Sequence, residues 1–343
     1  MRRIFITLLI ASFFTASNLF GQNTDQGVTK VGTTSAKFLS IPVGARALAM
    51  GGAYVSIADD ANAIYWNPAG LAQLGNREIL FMHSEWLADI NFDYLAFAIN
   101  AGTGSAIGVS LTAMTMGEFE VTTELSPEGT GEVFSASSFA LGFTYSRQLT
   151  DAFMIGGTAK YVLEKIWNSS ATGFAVDVGT LFRTPIKNLR LGASISNFGT
   201  KMQMSGDNLL VRKDIDPGTF GNNEDVNALL VTDKFDMPLN LKLGLSYDVN
   251  FGEQNRLTIA SDATYPNDNE QSLNVGAEYS FNDFIFFRGG YRSLFQENSE
   301  EEFVLGAGLE RSIVRGFGIK IDYAFQSWVR LQDVHQFSIA INF

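Results

Sequence analysis

Residues 333–343 alternate in character, with Phe337, Ile339, Ile341 and Phe343 on one parity and Gln336, Ser338, Ala340 and Asn342 on the other. Successive side chains of a strand point to opposite faces, so this segment has one apolar face and one small or polar face. The preceding segment does the same, setting Ile319, Ile321, Tyr323 and Phe325 against Lys320, Asp322, Ala324 and Gln326. Leu241, Leu243, Leu245, Tyr247 and Val249 repeat it, as do Phe139, Leu141, Phe143 and Tyr145, and the pattern reaches back to about Ile79. A soluble sandwich also alternates. Large outward residues, many long strands and an alternation that runs into Phe343 predict instead a closed antiparallel barrel whose apolar face meets lipid.

Composition agrees with that expectation. The chain has 343 residues, 46% hydrophobic and 17% charged, which is too apolar for disorder. After the N-terminus, no stretch supplies the roughly 20 consecutive apolar residues of a membrane helix. The 33 Gly, 29 Phe and only 7 Pro suit small lumen-facing positions, aromatic outer faces and few broken strands. Cysteine is absent, which excludes disulfides and thiolate metal sites, and no cofactor or metal is expected. A net charge of −12 argues against nucleic acid or anionic lipid as the recognised partner.

Residues 1–21 read as a signal peptide: Arg2 and Arg3 precede an apolar run over 4–14, and cleavage is expected near Gly21. No Cys follows the site, so the export signal is not that of a lipoprotein. The expected organisation is a leader over 1–21, an N-terminal extension and plug over 22–77, and a barrel over 78–343 in the outer membrane of a Gram-negative cell.

About fourteen strands are expected to begin near Ile79, Phe92, Ser105, Phe134, Ala152, Ser170, Leu189, Leu239, Arg256, Ser272, Phe284, Phe303, Gly316 and Asp333. The first, second and eleventh are ambiguous in phase. Connections provide an independent check. Those after even-numbered strands are short, whereas 117–133, 202–237 and 294–302, each after an odd-numbered strand, are long, polar and acidic, as external loops are. A miscounted strand would scramble this parity.

Residues 44–72 read GARALAMGGAYVSIADDANAIYWNPAGLA and do not alternate. Their Gly and Ala allow close backbone contact, and Asn67-Pro68 is a turn signal. A compact segment of this kind ahead of a barrel with a lumen is expected to fill that lumen.

The runs Ser35-Ala36-Lys37-Phe38-Leu39, Gly44-Ala45-Arg46-Ala47, Met50-Gly51-Gly52-Ala53 and Tyr65-Trp66-Asn67-Pro68-Ala69-Gly70-Leu71 together resemble the N-terminal signature of the PorV/PorQ family. That family is similar to the wider group of FadL-like outer-membrane barrels. The resemblance implies about fourteen strands and an N-terminal hatch holding Asn67, Pro68 and Ala69, with Arg46, Gly51 and Gly52 in the same hatch. It also implies type IX secretion components or cargo C-terminal domains as partners, beside outer-membrane lipid. The wider group implies the alternative, transport of fatty acids or other hydrophobic small molecules. Gly70 stands where the nearest PorV proteins are expected to carry Lys.

Candidate chemistry is sparse. No Gly-Lys-[Ser/Thr] follows the glycines of 44–52, so a phosphate loop is disfavoured. The 2 histidines, His83 and His335, fall on the first and last strands, where a His–Ser or His–Asp pair could serve a hydrolase. An ordinary lumen or rim position is the simpler expectation. Inward charges are expected at Lys160, Glu164, Asp177, Arg190, Lys242, Asp248, Asp262, Glu278, Arg288, Arg292, Glu310, Lys320 and Asp322. Lone charges in a low-dielectric lumen are costly, so they should pair with one another, with water or with the hatch, Arg46 being one partner for a wall carboxylate. The loop over 202–237 carries two apolar patches, Leu209-Leu210-Val211 and Ala228-Leu229-Leu230-Val231, which suit a partner surface, a ligand groove or packing on each other. Three functions follow in order of support: a secretion-linked binding protein, a hydrophobic-compound transporter, and an outer-membrane hydrolase.

Overall fold

The computed structural model describes residues 30–219, 221, 225–296, 299–314 and 316–343. The expected leader and cleavage site lie outside the described residues. Alternating segments form a closed antiparallel barrel of 14 strands. In chain order these are β1 (Glu78–Glu85), β2 (Asn91–Gly102), β3 (Ser105–Thr115), β4 (Ala136–Gln148), β5 (Phe153–Ile166), β6 (Ser169–Arg183) and β7 (Leu189–Gly199). The second half comprises β8 (Asn240–Phe251), β9 (Asn255–Pro266), β10 (Ser272–Phe281), β11 (Ile285–Leu294), β12 (Glu301–Val314), β13 (Phe317–Trp328) and β14 (Val334–Asn342). Every expected start falls within 2 residues of the observed one. β1 closes the ring on β14 in a register running from Glu78 opposite Asn342 to Glu85 opposite His335. Among the described residues no helix is long and apolar enough to cross a membrane.

The pleat sorts the side chains as the alternation requires. Leu243, Ile321 and Ile339 are 54, 50 and 46% exposed on the outside, while Gln336 and Ser338 are 0 and 3% exposed on the inside. Phase was ambiguous in β1 and β2 because both of their faces are apolar. Ile79, Phe81, Leu95 and Phe97 point out, and Leu80, Met82, Phe92 and Tyr94 point in, buried in the same apolar cluster as Phe38, Ile57 and Ile64. In β11 the inward Phe286 is buried beside the exposed Phe287, and the Arg288 guanidinium lies 5.1 Å from the Phe286 ring.

What lies against that inward face is the N-terminal segment. At the long-loop end, Ser35 N donates to Asp236 O at 3.0 Å; at the short-turn end, Arg77 N donates to Phe343 O at 3.1 Å. Between these points the chain makes only short helical pieces, including α1 (Ala45–Ala49) and α2 (Ala63–Trp66), linked by turns at Gly51 and Gly52, with φ of +66° and +74°. Leu48, Tyr54, Ile57 and Leu71 are fully buried.

Glycines in the wall let this backbone approach. A Cβ at Gly276 would stand 2.1 Å from Met50 O, one at Gly192 2.5 Å from Val55 O, and one at Gly179 2.0 Å from Asn67 Oδ1. Small lumen-facing residues were legible in the composition. Their alignment under particular turns of the N-terminal segment was not, because that is a long-range contact with no local signal.

Candidate functional site

Asn67 joins the N-terminal segment both to itself and to the wall. Its Nδ2 donates to Val55 O at 2.7 Å and to Thr180 O of β6 at 3.0 Å, and its Oδ1 accepts from Ala69 N at 3.2 Å. Pro68 then starts the 3-10 turn Pro68–Gln73, a position where a missing N–H costs nothing. Ala69 is buried. At Gly70 a Cβ would meet Ala58 O at 2.1 Å, so no lysine could replace it without moving the backbone.

Two groups of inward charges border the N-terminal segment. Arg46 Nε donates to Glu278 Oε2 at 3.0 Å and its Nη1 to Asp59 Oδ1 at 2.7 Å. Arg288 donates to the same Glu278 oxygen at 2.6 Å and to Asp322 at 2.5 Å. Arg46, Glu278, Arg288 and Asp322 thus form one chain of opposite charges from segment to wall, which compensates the desolvation of each member. In the second group Lys160 pairs with Asp177 at 2.6 Å. Lys242 meets the N-terminal segment through aromatic rings: its ammonium sits 4.2 Å from the centre of the Trp66 ring and 5.9 Å from that of Tyr65. Aromatic faces supply this partner, and no charge pattern in the sequence pointed to them. Tyr65 donates to the carbonyls of Leu39 and Ile41, 3.0 and 2.8 Å away.

The remaining expected inward groups also find partners. Arg190 meets Asp248 at 2.9 Å, Arg292 meets Glu301 at 3.0 Å, and Lys320 meets Glu310 at 3.5 Å. Glu164 accepts from Ala36 N at 3.0 Å, and Asp262 accepts from the backbone of Tyr54 and Val55 at 2.8 and 2.9 Å. Asp262 and Glu164 therefore hold backbone of the N-terminal segment.

Both histidines belong to the outward parity near the long-loop rim. His83 Nδ1 lies 2.7 Å from Asp93 Oδ1, and His335 Nδ1 lies 2.8 Å from the Tyr323 hydroxyl. Ser84 points to the opposite face and donates to His335 O at 2.9 Å, so this serine is not aligned with either imidazole.

Beyond the rim, the two apolar patches of the longest loop meet. Leu210–Lys213 pairs antiparallel with Val226–Leu229, placing Leu210 opposite Leu229 and Val211 opposite Ala228. Leu209 and Val211 are half-buried, yet Leu210, Leu229, Leu230 and Val231 remain 51, 55, 53 and 85% exposed. Sequence reasoning missed another feature of this end: a cavity of about 560 Å³, lined in part by Phe38, Ile41, Trp86, Asn240, Thr264 and Trp328. Residues from the N-terminal segment and seven strands converge there, and only the two tryptophans near strand ends hinted at it.

A model of the family described as "Type IX secretion system protein PorV" matches residues 22–210. The chain belongs to the PorV family. The match spans the Asn67-Pro68-Ala69 turn, the Arg46 position and the barrel as far as the first apolar patch. Among solved structures, the PorV-family chain is similar to the toluene transporter TodX of Pseudomonas putida, at 14% identity and a TM-score of 0.57, over 88% of this chain and 97% of that one. The toluene transporter TbuX of Ralstonia pickettii matches at 15% identity and a TM-score of 0.52, with the same coverages of 88 and 97%. A FadL homologue of Pseudomonas aeruginosa matches at 12% identity and a TM-score of 0.51, over 85% of this chain and 95% of that one. At such identities the likeness shows a common fold, and with the family it places the chain in the outer membrane. No curated protein matches it.

Proposed function

We propose that the chain is a binding and scaffold protein of type IX secretion, holding protein partners at the external face of the outer membrane. The observation that carries this reading is the exposed apolar hairpin of the long loop, with Leu210, Leu229, Leu230 and Val231 all more than half exposed. An apolar surface held above the lipid and facing water is costly unless a partner covers it. Residues 30–77 act in this reading as a hatch packed against the inner wall of the barrel, and the first residues of the expected extension, 22–29, lie outside the described residues. The spaces beside Tyr65 amount to about 20 and 10 Å³, each room for one water at most.

Replacing residues 209–231 by a short Gly-Ser linker, followed by affinity purification from native outer membrane, tests the proposal. Recovery of secreted partners should fall at least tenfold while the barrel keeps its heat-modifiable migration. Undiminished recovery from a folded deletion variant would sink the binding role of this loop.

The alternative, passage of hydrophobic compounds, draws on the common fold with toluene transporters and on the bond from Asn67 to Thr180. In that case Asn67→Ala, which releases the turn from β6, should change uptake of a hydrophobic solute in whole cells. Equal uptake by wild type, Asn67→Ala and a strain lacking the protein would remove this alternative.

A further inference from the structure

The cavity at the long-loop end combines an apolar wall, with Phe38, Ile41, Ile90 and Met114 among its residues, with a set of polar groups. Trp86 and Trp328 both border it, their rings in edge contact at 5.8 Å. The rest of the wall includes amides, hydroxyls and carboxylates, among them Asn240, Thr264, Asn269 and Glu300. Four polar atoms of this lining, Asn240 Oδ1, Thr264 Oγ1, Glu300 Oε2 and Trp328 Nε1, are buried without a partner in the protein. Three are acceptors or hydroxyls and one is purely a donor. A hydrocarbon would leave all four as unpaired as they are in the empty cavity, whereas a ligand carrying hydroxyls can relieve a cost of roughly 1–3 kcal/mol for each group that it pairs.

The charges of the lining are largely spoken for. Lys37 pairs with Asp268 at 2.6 Å, Glu301 with Arg292 at 3.0 Å, and Glu300 with Arg330. Glu270 faces solvent. No strong field is left to select an ion. An extended peptide is disfavoured by a different feature: peptides that bind as strands add to a free sheet edge, and ring closure between β1 and β14 leaves the wall without one. What remains is a neutral ligand that offers many groups able both to donate and to accept, together with an apolar face for an indole to cover. A pyranose ring has that chemistry.

We propose that this cavity is a binding site for a neutral oligosaccharide, with Trp86 and Trp328 as the stacking surface and Asn240, Thr264 and Glu300 as the polar contacts. Its volume of about 560 Å³ lies within the roughly 300–1,000 Å³ typical of small-molecule sites. The four unpaired atoms are met by sugar hydroxyls as these side chains turn toward the ligand. The site opens on the cell exterior, where surface glycans are within reach, and it does not depend on the secretion reading or on passage through the barrel.

The test uses the full chain in phospholipid nanodiscs prepared without glycosidic detergents, whose head groups would compete. A glycan array of neutral and acidic oligosaccharides is probed with these discs, and hits are titrated calorimetrically. At least one neutral oligosaccharide should bind saturably. Its affinity should fall tenfold or more in Trp328→Ala and severalfold in the near-isosteric Thr264→Val, while Trp167→Ala, outside the cavity, binds as wild type. Heat-modifiable migration establishes that each variant is folded. Binding no greater than that of empty discs across the array would overturn the proposal, as would glycan binding indifferent to both cavity substitutions. Saturable, Trp328-dependent binding of toluene or of an unstructured peptide in place of glycan would overturn it too.

Discussion

Arg46 shows how a single side chain commits the N-terminal segment to one position. It reaches Glu278 on the wall and Asp59 on its own segment, and Glu278 is 1% exposed. Removing one member of a buried ion network leaves the others uncompensated, at roughly 3–5 kcal/mol. Arg46→Met should therefore lower the unfolding free energy by an amount of that order, measured by denaturant titration in lipid vesicles, and adding Glu278→Gln should restore part of the loss. Equal stability of Arg46→Met and wild type would mean that the network is idle. Gly276 makes a steric counterpart. A side chain there would run into Met50 O at 2.1 Å, whereas at Gly289 the nearest atom is the end of Leu305 at 3.4 Å. Overpacking costs about 1–3 kcal/mol when neighbours can yield, and backbone yields less readily than a side chain. Gly276→Val should cut the yield of heat-modifiable barrel severalfold and Gly289→Ala should not; matching yields would contradict the close packing described. Arg46 was legible as a partner for a wall carboxylate because it is a charge inside an otherwise small-residue run. The need for glycine at Gly276 was not, since nothing local distinguishes it from a glycine that is merely small.

At the scale of single elements, each strand carries its own record of depth. Leu243 lies mid-strand in β8 and Phe251 at its end, both on the outward face at 54 and 55% exposure. An arginine costs roughly 2–4 kcal/mol at the bilayer midplane and about 0–1 near the interface. Leu243→Arg should consequently destabilise the barrel in vesicles by that larger amount, and Phe251→Arg by little; a reversed order in unfolding titrations would displace β8 relative to the membrane. Strand positions and turn parity could be read from the chain because period two is a local property. The phases of β1, β2 and β11 could not, for a reason specific to these elements. Leu80, Met82, Phe92, Tyr94 and Phe286 are apolar inward residues, and a strand that is apolar on both sides loses the contrast on which a phase assignment depends. The same cause hid the partner of Lys242. A lysine on an inward parity suggests a carboxylate, but the nearest filling is the Trp66 indole, brought there by a fold of residues 44–72 that no periodicity encodes.

For the whole molecule, the N-terminal segment and the wall form a single packed unit from residue 31 onward. That segment is held at one end of the lumen by the backbone of Asp236 and at the other by that of Phe343. It therefore runs between the two rims without joining the strands of the sheet. Chain synthesis supplies these residues before any strand, and the pairing of β1 with β14 needs the strand made last of all. Because the segment is tied at both rims, it cannot leave the closed ring without breaking those contacts.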